Sequence, residues 1–176
     1  MKFDLNNPRT LAITAVMTAL VWGLTMVRVA VTPAVGYVHL GDIVIYLSAF
    51  AFGPWVGMIA GGLGTGLADV VGGYASFAPL SLVVHGLQGF VAGWIAYRKP
   101  TAGRLALGVV VGGLILVGGY FAGEALIAIY GGPVIAASEV PFNAVQAGFG
   151  ALGAVVYAAV ARAYPRLRQL NQPPQA

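Results

Sequence analysis

His85 and Gln88 stand one turn apart on a helical reading, Tyr120 and Glu124 likewise, and Asn143 and Gln146 nearly so. An imidazole, a carboxylate, a phenol and three amides can aim hydrogen bonds at a small polar molecule. They can equally hold neighbouring segments together by bonding to one another. Tyr74, Phe77 and Phe142 lie nearby and would give flat apolar walls. His85 with Glu124 could act as acid and base, but no nucleophile or metal constellation accompanies them, so the chain does not read as an enzyme.

The segments that carry these residues are not made for water. Of 176 residues 59% are apolar and 8% charged, and the mean hydropathy is +0.87. Crossing a bilayer takes roughly 20 mostly apolar helical residues. Glycine and proline punctuate the chain into helices at about 9–29, 41–52, 54–72, 79–97, 104–125 and 139–163, with a polar tail over 165–176 expected to be disordered. The expected fold is a single all-α integral membrane domain over residues 1–176 with six transmembrane helices.

Charge sets the expected orientation. Lys2 and Arg9, then Arg98, Lys99 and Arg104, then Arg162, Arg166 and Arg168 form three basic clusters that the positive-inside rule assigns to the cytoplasm. An even number of crossings must separate them, which retains the short 41–52 segment and puts both termini inside. No cleavable signal peptide is evident. The basic residues flank helices and do not form a patch with interleaved aromatics, so nucleic acid is not expected. Absence of cysteine removes disulfides, iron–sulfur clusters and thiolate metal sites.

Glycine marks the helix contacts. Gly53, Gly57 and Gly61, then Gly62 and Gly66, then Gly86, Gly89 and Gly93 allow close backbone approach in lipid. Gly62-Leu-Gly64-Thr-Gly66 has no strand before it and is not a dinucleotide loop, and no phosphate loop occurs anywhere. Ala12, Ala15, Ala19 and Gly23 form a second small-residue stripe on the first helix, suited either to internal packing or to docking another membrane protein.

Four of five acidic residues fall on the side opposite eight of nine basic ones. Arg28, Tyr37, His39 and Asp42 lie in or beside the first loop there, and Asp69 lies by the second. Asp42 and Asp69 read as loop carboxylates or helix caps, Asp42 favouring its helix dipole. An ionisable group costs about 2.5–3.5 kcal/mol at the bilayer centre. The polar pairs on helices four to six therefore read as a ligand pocket: Tyr74, Phe77, His85, Gln88, Tyr120, Glu124, Asn143 and Gln146.

The order of motifs resembles a known family. Gly36-Tyr-Val-His-Leu-Gly41-Asp42, Phe52-Gly-Pro54, Gly66-Leu-Ala-Asp69, Gly73-Tyr74 and Pro79 are similar to the substrate-binding S components of energy-coupling factor (ECF) vitamin transporters. So are Gly119-Tyr-Phe121 with Glu124 and Pro141-Phe-Asn143 with Gln146, and the likeness runs from Ala12 to Ala161. It is nearest the branch for riboflavin, pyridoxine-like and hydroxymethylpyrimidine substrates. The resemblance implies a subunit of an ATP-driven importer in a prokaryotic plasma membrane. It would capture a vitamin or precursor outside and topple to deliver it inward.

Its implied partners are a transmembrane coupling subunit, met through Ala15 and Ala19, and two cytoplasmic ATPases; no cofactor is implied. Residues from about Thr32 to Leu40, with Tyr37 and His39, would be the gate. The cobalt and nickel branch carries a histidine after the initiating methionine, where this chain has Lys2. His39-x-x-Asp42 supplies only two ligands, so no metal site is expected. Many relatives carry a lysine on the fourth helix where this chain has His85. The acidic outer face disfavours strong anions and favours a neutral or weakly basic heterocycle. The alternative is a self-sufficient carrier or channel relaying protons through Asp69, His85 and Glu124.

Overall fold

A computed structural model describes residues 3–4, 6–31, 36–165 and 167. Lys2, Arg166, Arg168, the end of the tail and residues 32–35 of the expected gate lie outside the described residues. Helix α1 spans Pro8–Thr25, α2 Gly41–Phe52, α3 Pro54–Gly72, α4 Ala78–Ala96, α5 Ala102–Leu126, α6 Pro133–Gly150 and α7 Leu152–Ala163. The Asn7 side chain caps α1 by accepting from the Arg9 N–H, and Thr101 caps α5 through Arg104.

Two departures from the sequence reading matter for function. The first helix stops at Thr25, not near 29. Arg28–Val31 (β1) instead pairs antiparallel with Tyr37–His39 (β2), with Arg28 opposite His39 and Val31 opposite Tyr37. Alternating Val27, Val29 and Val31 favour an extended chain, and among the described residues that small hairpin is the one non-helical element. The sixth helix begins at Pro133, not 139, because Gly131 and Gly132 take positive φ (101° and 84°) and turn the chain into a proline-started helix. Ala151 then parts α6 from α7.

Pro54–Gly72, Ala78–Ala96, Ala102–Leu126 and Pro133–Ala163 are long and apolar enough to cross a membrane, and Gly41–Phe52 is apolar but shorter. Large apolar side chains such as Val110, Leu114 and Val155 point outward, as lipid permits and water does not. The interior is organised around α2, whose Ile45, Tyr46, Ala49 and Phe50 are wholly buried. Around its C-terminal half, Phe50 meets Tyr157 edge-on and Ala92, Ala96 and Leu105 close the cluster.

Glycines set the spacing. A Cβ on Gly57 would come within 2.8 Å of both Ala49 Cβ and the Gly89 carbonyl. One on Gly61 would stand 2.6 Å from the His85 carbonyl, and one on Gly64 2.7 Å from Val21. Helices α2, α3 and α4 thus pack backbone to backbone, which is how helices gain contact where lipid supplies no hydrophobic drive.

Candidate functional site

Four helices and the hairpin converge at the end of the bundle opposite Arg9, Arg98, Lys99, Arg104 and Arg162. There β2 brings Tyr37 and His39, α3 ends with Asp69, and Tyr74 and Phe77 follow it. Ser81 lies in the first turn of α4, Tyr120 and Glu124 in the last turns of α5, and Glu139, Asn143 and Gln146 along the middle of α6. All of these line one cavity of about 40 Å³, together with Gly36. That is room for a few water molecules.

Six of the eight expected binding residues meet here: Tyr74, Phe77, Tyr120, Glu124, Asn143 and Gln146. Phe142 does not join them. Ser81, Asp69 and Glu139 do, and two of these were readable from spacing. Ser81 lies one turn before His85, and Glu139 one turn before Asn143, so each shares a helix face with a residue already singled out.

The walls are tied together by hydrogen bonds. The Tyr37 hydroxyl donates to Asp69 Oδ1 at 2.6 Å, and Tyr120 and Ser81 share a bond at 2.6 Å. Arg28 lies over the rings of Tyr37 and Tyr74, at 4.8 and 5.0 Å from their centroids, and donates to the Gly72 carbonyl at 3.2 Å. These contacts fasten the hairpin to the end of α3. Burial and the bond to Asp69 hold the Tyr37 phenol well above its usual range, so it remains a donor. Burial pushes the His39 imidazole down to about 3, against the pull of Asp42, so His39 is neutral at ordinary pH.

His85 and Gln88 are not in the cavity wall. Both are fully buried beneath it, where His85 Nδ1 donates toward Gln88 Oε1 at 2.9 Å and lies 3.1 Å from Asp42 Oδ1. Asp42 is accordingly no loop carboxylate; it is wholly buried in the first turn of α2 and faces His85 across the bundle. The pairing joins residues far apart in sequence, which local pattern could not reveal. His39, expected in a mobile-looking gate, is buried too: its backbone N–H donates to Gln146 Oε1 at 3.2 Å. The Gln146 amide nitrogen lies 3.2 Å from His39 Nε2 and donates to Asp42 Oδ2 at 3.5 Å. Gly150, one turn along α6, makes that reach possible, since a Cβ there would stand 3.0 Å from Asp42 Cβ.

Two carboxylate oxygens at the pocket stay without a hydrogen-bond partner: Asp69 Oδ2 and Glu124 Oε2. Both residues are buried, and leaving an ionised acceptor bare is costly. The arrangement offers acceptors, aromatic faces and an amide at Asn143, a set suited to holding a ring that carries N–H or O–H groups.

The family model described as "ECF-type riboflavin transporter, S component" matches residues 5–162. The chain belongs to that family. This S component is 35% identical over 122 residues to the thiamine precursor transporter HmpT of Lactococcus lactis, covering 68% of this chain and 73% of that one. It is 45% identical over 95 residues to an uncharacterized protein of Pyrococcus woesei, covering 54% of this chain and 64% of the relative. The S component therefore spans a little under two thirds of the Pyrococcus relative and about three quarters of the Lactococcus one. Its fold matches a solved S component of a bacterial ECF transporter with a TM-score of 0.60 at 20% identity, over 89% of this chain and 95% of that one. The family and the four long apolar helices make it a multi-pass membrane protein.

On α1, Ala12, Ala15 and Ala19 are exposed, and nothing lies within 4 Å of a Cβ built on Gly23. The inward face of α1 is instead its threonines: Thr10, Thr14 and Thr25 are buried, with Thr14 bonded one turn back to the Thr10 carbonyl. The small-residue stripe does not serve packing inside this chain.

Proposed function

We propose that this S component captures a small nitrogen heterocycle bearing hydrogen-bond donors, of the hydroxymethylpyrimidine kind, from outside the plasma membrane. The observation that carries the reading is the pair of bare buried acceptors, Asp69 Oδ2 and Glu124 Oε2, in an aromatic pocket that a third acid, Glu139, also lines. Amino and hydroxyl donors on a ring satisfy such oxygens, while a phosphate or carboxylate would be repelled. Tyr74 and Phe77 supply the stacking faces, Asn143 and Gln146 the polar edge. The named activity of the Lactococcus relative, transport of a thiamine precursor, points the same way.

Six crossings with both termini inside, as the positive-inside rule requires, put the pocket outside and the basic end in the cytoplasm. Delivery then falls to a transmembrane coupling subunit and two ATPases, as in the family at large. The outward stripe of Ala15 and Ala19 supports docking there, since small residues let a partner helix approach closely.

The test is calorimetric titration of the purified chain in detergent with hydroxymethylpyrimidine and with riboflavin. The pyrimidine is expected to bind at least about tenfold tighter. Tighter binding of riboflavin, or binding only of a phosphorylated vitamin, overturns the proposal.

A further inference from the structure

We infer that His39, Asp42 and His85 form a binding site for a single divalent transition-metal ion, beneath the nutrient pocket and reached from it. The sequence reading counted His39 and Asp42 and stopped at two ligands; the fold brings a third from α4. One ligand atom from each residue lies within 4.8 Å of the others, and all three residues are buried. Two imidazoles and a carboxylate are the donor set of borderline ions such as zinc or cobalt, not of magnesium or calcium, which take oxygen alone.

Geometry and polarity both support it. At metal–ligand bonds of about 2.0–2.2 Å, two ligands in a tetrahedron stand about 3.4 Å apart. His85 Nδ1 and Asp42 Oδ1 are already at 3.1 Å, and drawing the group inward by about an ångström closes the remainder. The cluster does not satisfy itself as it stands. Asp42 Oδ1, itself one of the ligand atoms, is buried with no hydrogen-bond partner. An unpartnered carboxylate oxygen in a dry interior is rare and calls for a ligand or ion.

Gln146, 3.5 Å from Asp42 Oδ2, is an outer amide that orients the carboxylate, and His85 takes the ion by giving up the Nδ1 proton that it otherwise donates to Gln88 Oε1. Since His39 and Gln146 also line the cavity above, the route for an ion to the site runs through that pocket.

The test uses the full chain in detergent, free of any affinity tag and stripped with a chelator, titrated with Co²⁺ alone. One Co²⁺ per chain is expected, with the visible bands of a four-coordinate centre and a raised unfolding temperature. In His39→Gln and in His85→Gln the bands should vanish and Co²⁺ affinity fall by about tenfold or more. Failure of the unmutated chain to take up stoichiometric Co²⁺ or Zn²⁺ overturns the inference whether or not the variants fold. Unaltered bands in both folded variants overturn it as well. Nutrient binding is titrated separately, without metal, so the two proposals fail independently.

Discussion

The two ends of α2 are built from different materials. Its C-terminal half sits among Tyr157, Ala92, Ala96 and Leu105, where shape decides the fit and the Tyr46 hydroxyl has found the Val109 carbonyl at 3.0 Å. Its first turn sits among His39, His85, Gln88 and Gln146, where charge and hydrogen bonds decide the fit and some groups have no partner. One half of the helix is finished and the other is held open. A bare polar group in a dry interior is costly, and on the proposed reading a ligand meets it there.

That contrast can be broken most severely at Asp42. Asp42→Ala removes the counter-charge of a buried pair and should cost about 3–5 kcal/mol, read as a lower unfolding temperature in detergent. An unfolding temperature equal to that of the unmutated chain would show that the polar end carries no structural weight. At the apolar end, Phe50→Leu should cost about 1–2 kcal/mol through imperfect packing against Tyr157 while leaving nutrient affinity unchanged. Altered affinity in that variant would mean that the two ends are mechanically coupled. The smallest effect on the fold is expected from Glu124→Gln, which should lower nutrient affinity by about tenfold and leave unfolding unchanged or slightly raised. A variant that binds as tightly as the unmutated chain would remove Glu124 from the pocket.

Much of the scaffold was legible because membrane helices announce themselves by length and composition, and because Gly53-Pro54 and Gly131-Gly132-Pro133 punctuate sharply. The convergence of Tyr120, Glu124, Asn143 and Gln146 could also be read, since turn spacing places each pair on one face. What escaped were features decided by tertiary partners. A valine-rich run after α1 suits strand or helix alone, and only its fastening by Arg28 and Tyr37 to the end of α3 shows why it is a hairpin. Asp42 looked like a cap because its partner His85 lies on a different helix. The same blindness turned His85 and Gln88 into expected wall residues when they lie one layer deeper.

Gly61 lines neither the cavity nor the His39–Asp42–His85 cluster, yet it allows α4 to come near enough for His85 to reach α2. A single added methyl there would lever the imidazole away from Asp42 and disable uptake from behind, with every contacting residue intact. Loss-of-transport alleles in such a carrier should therefore gather as much in its bare, side-chain-less scaffold as in the groups that grip the cargo.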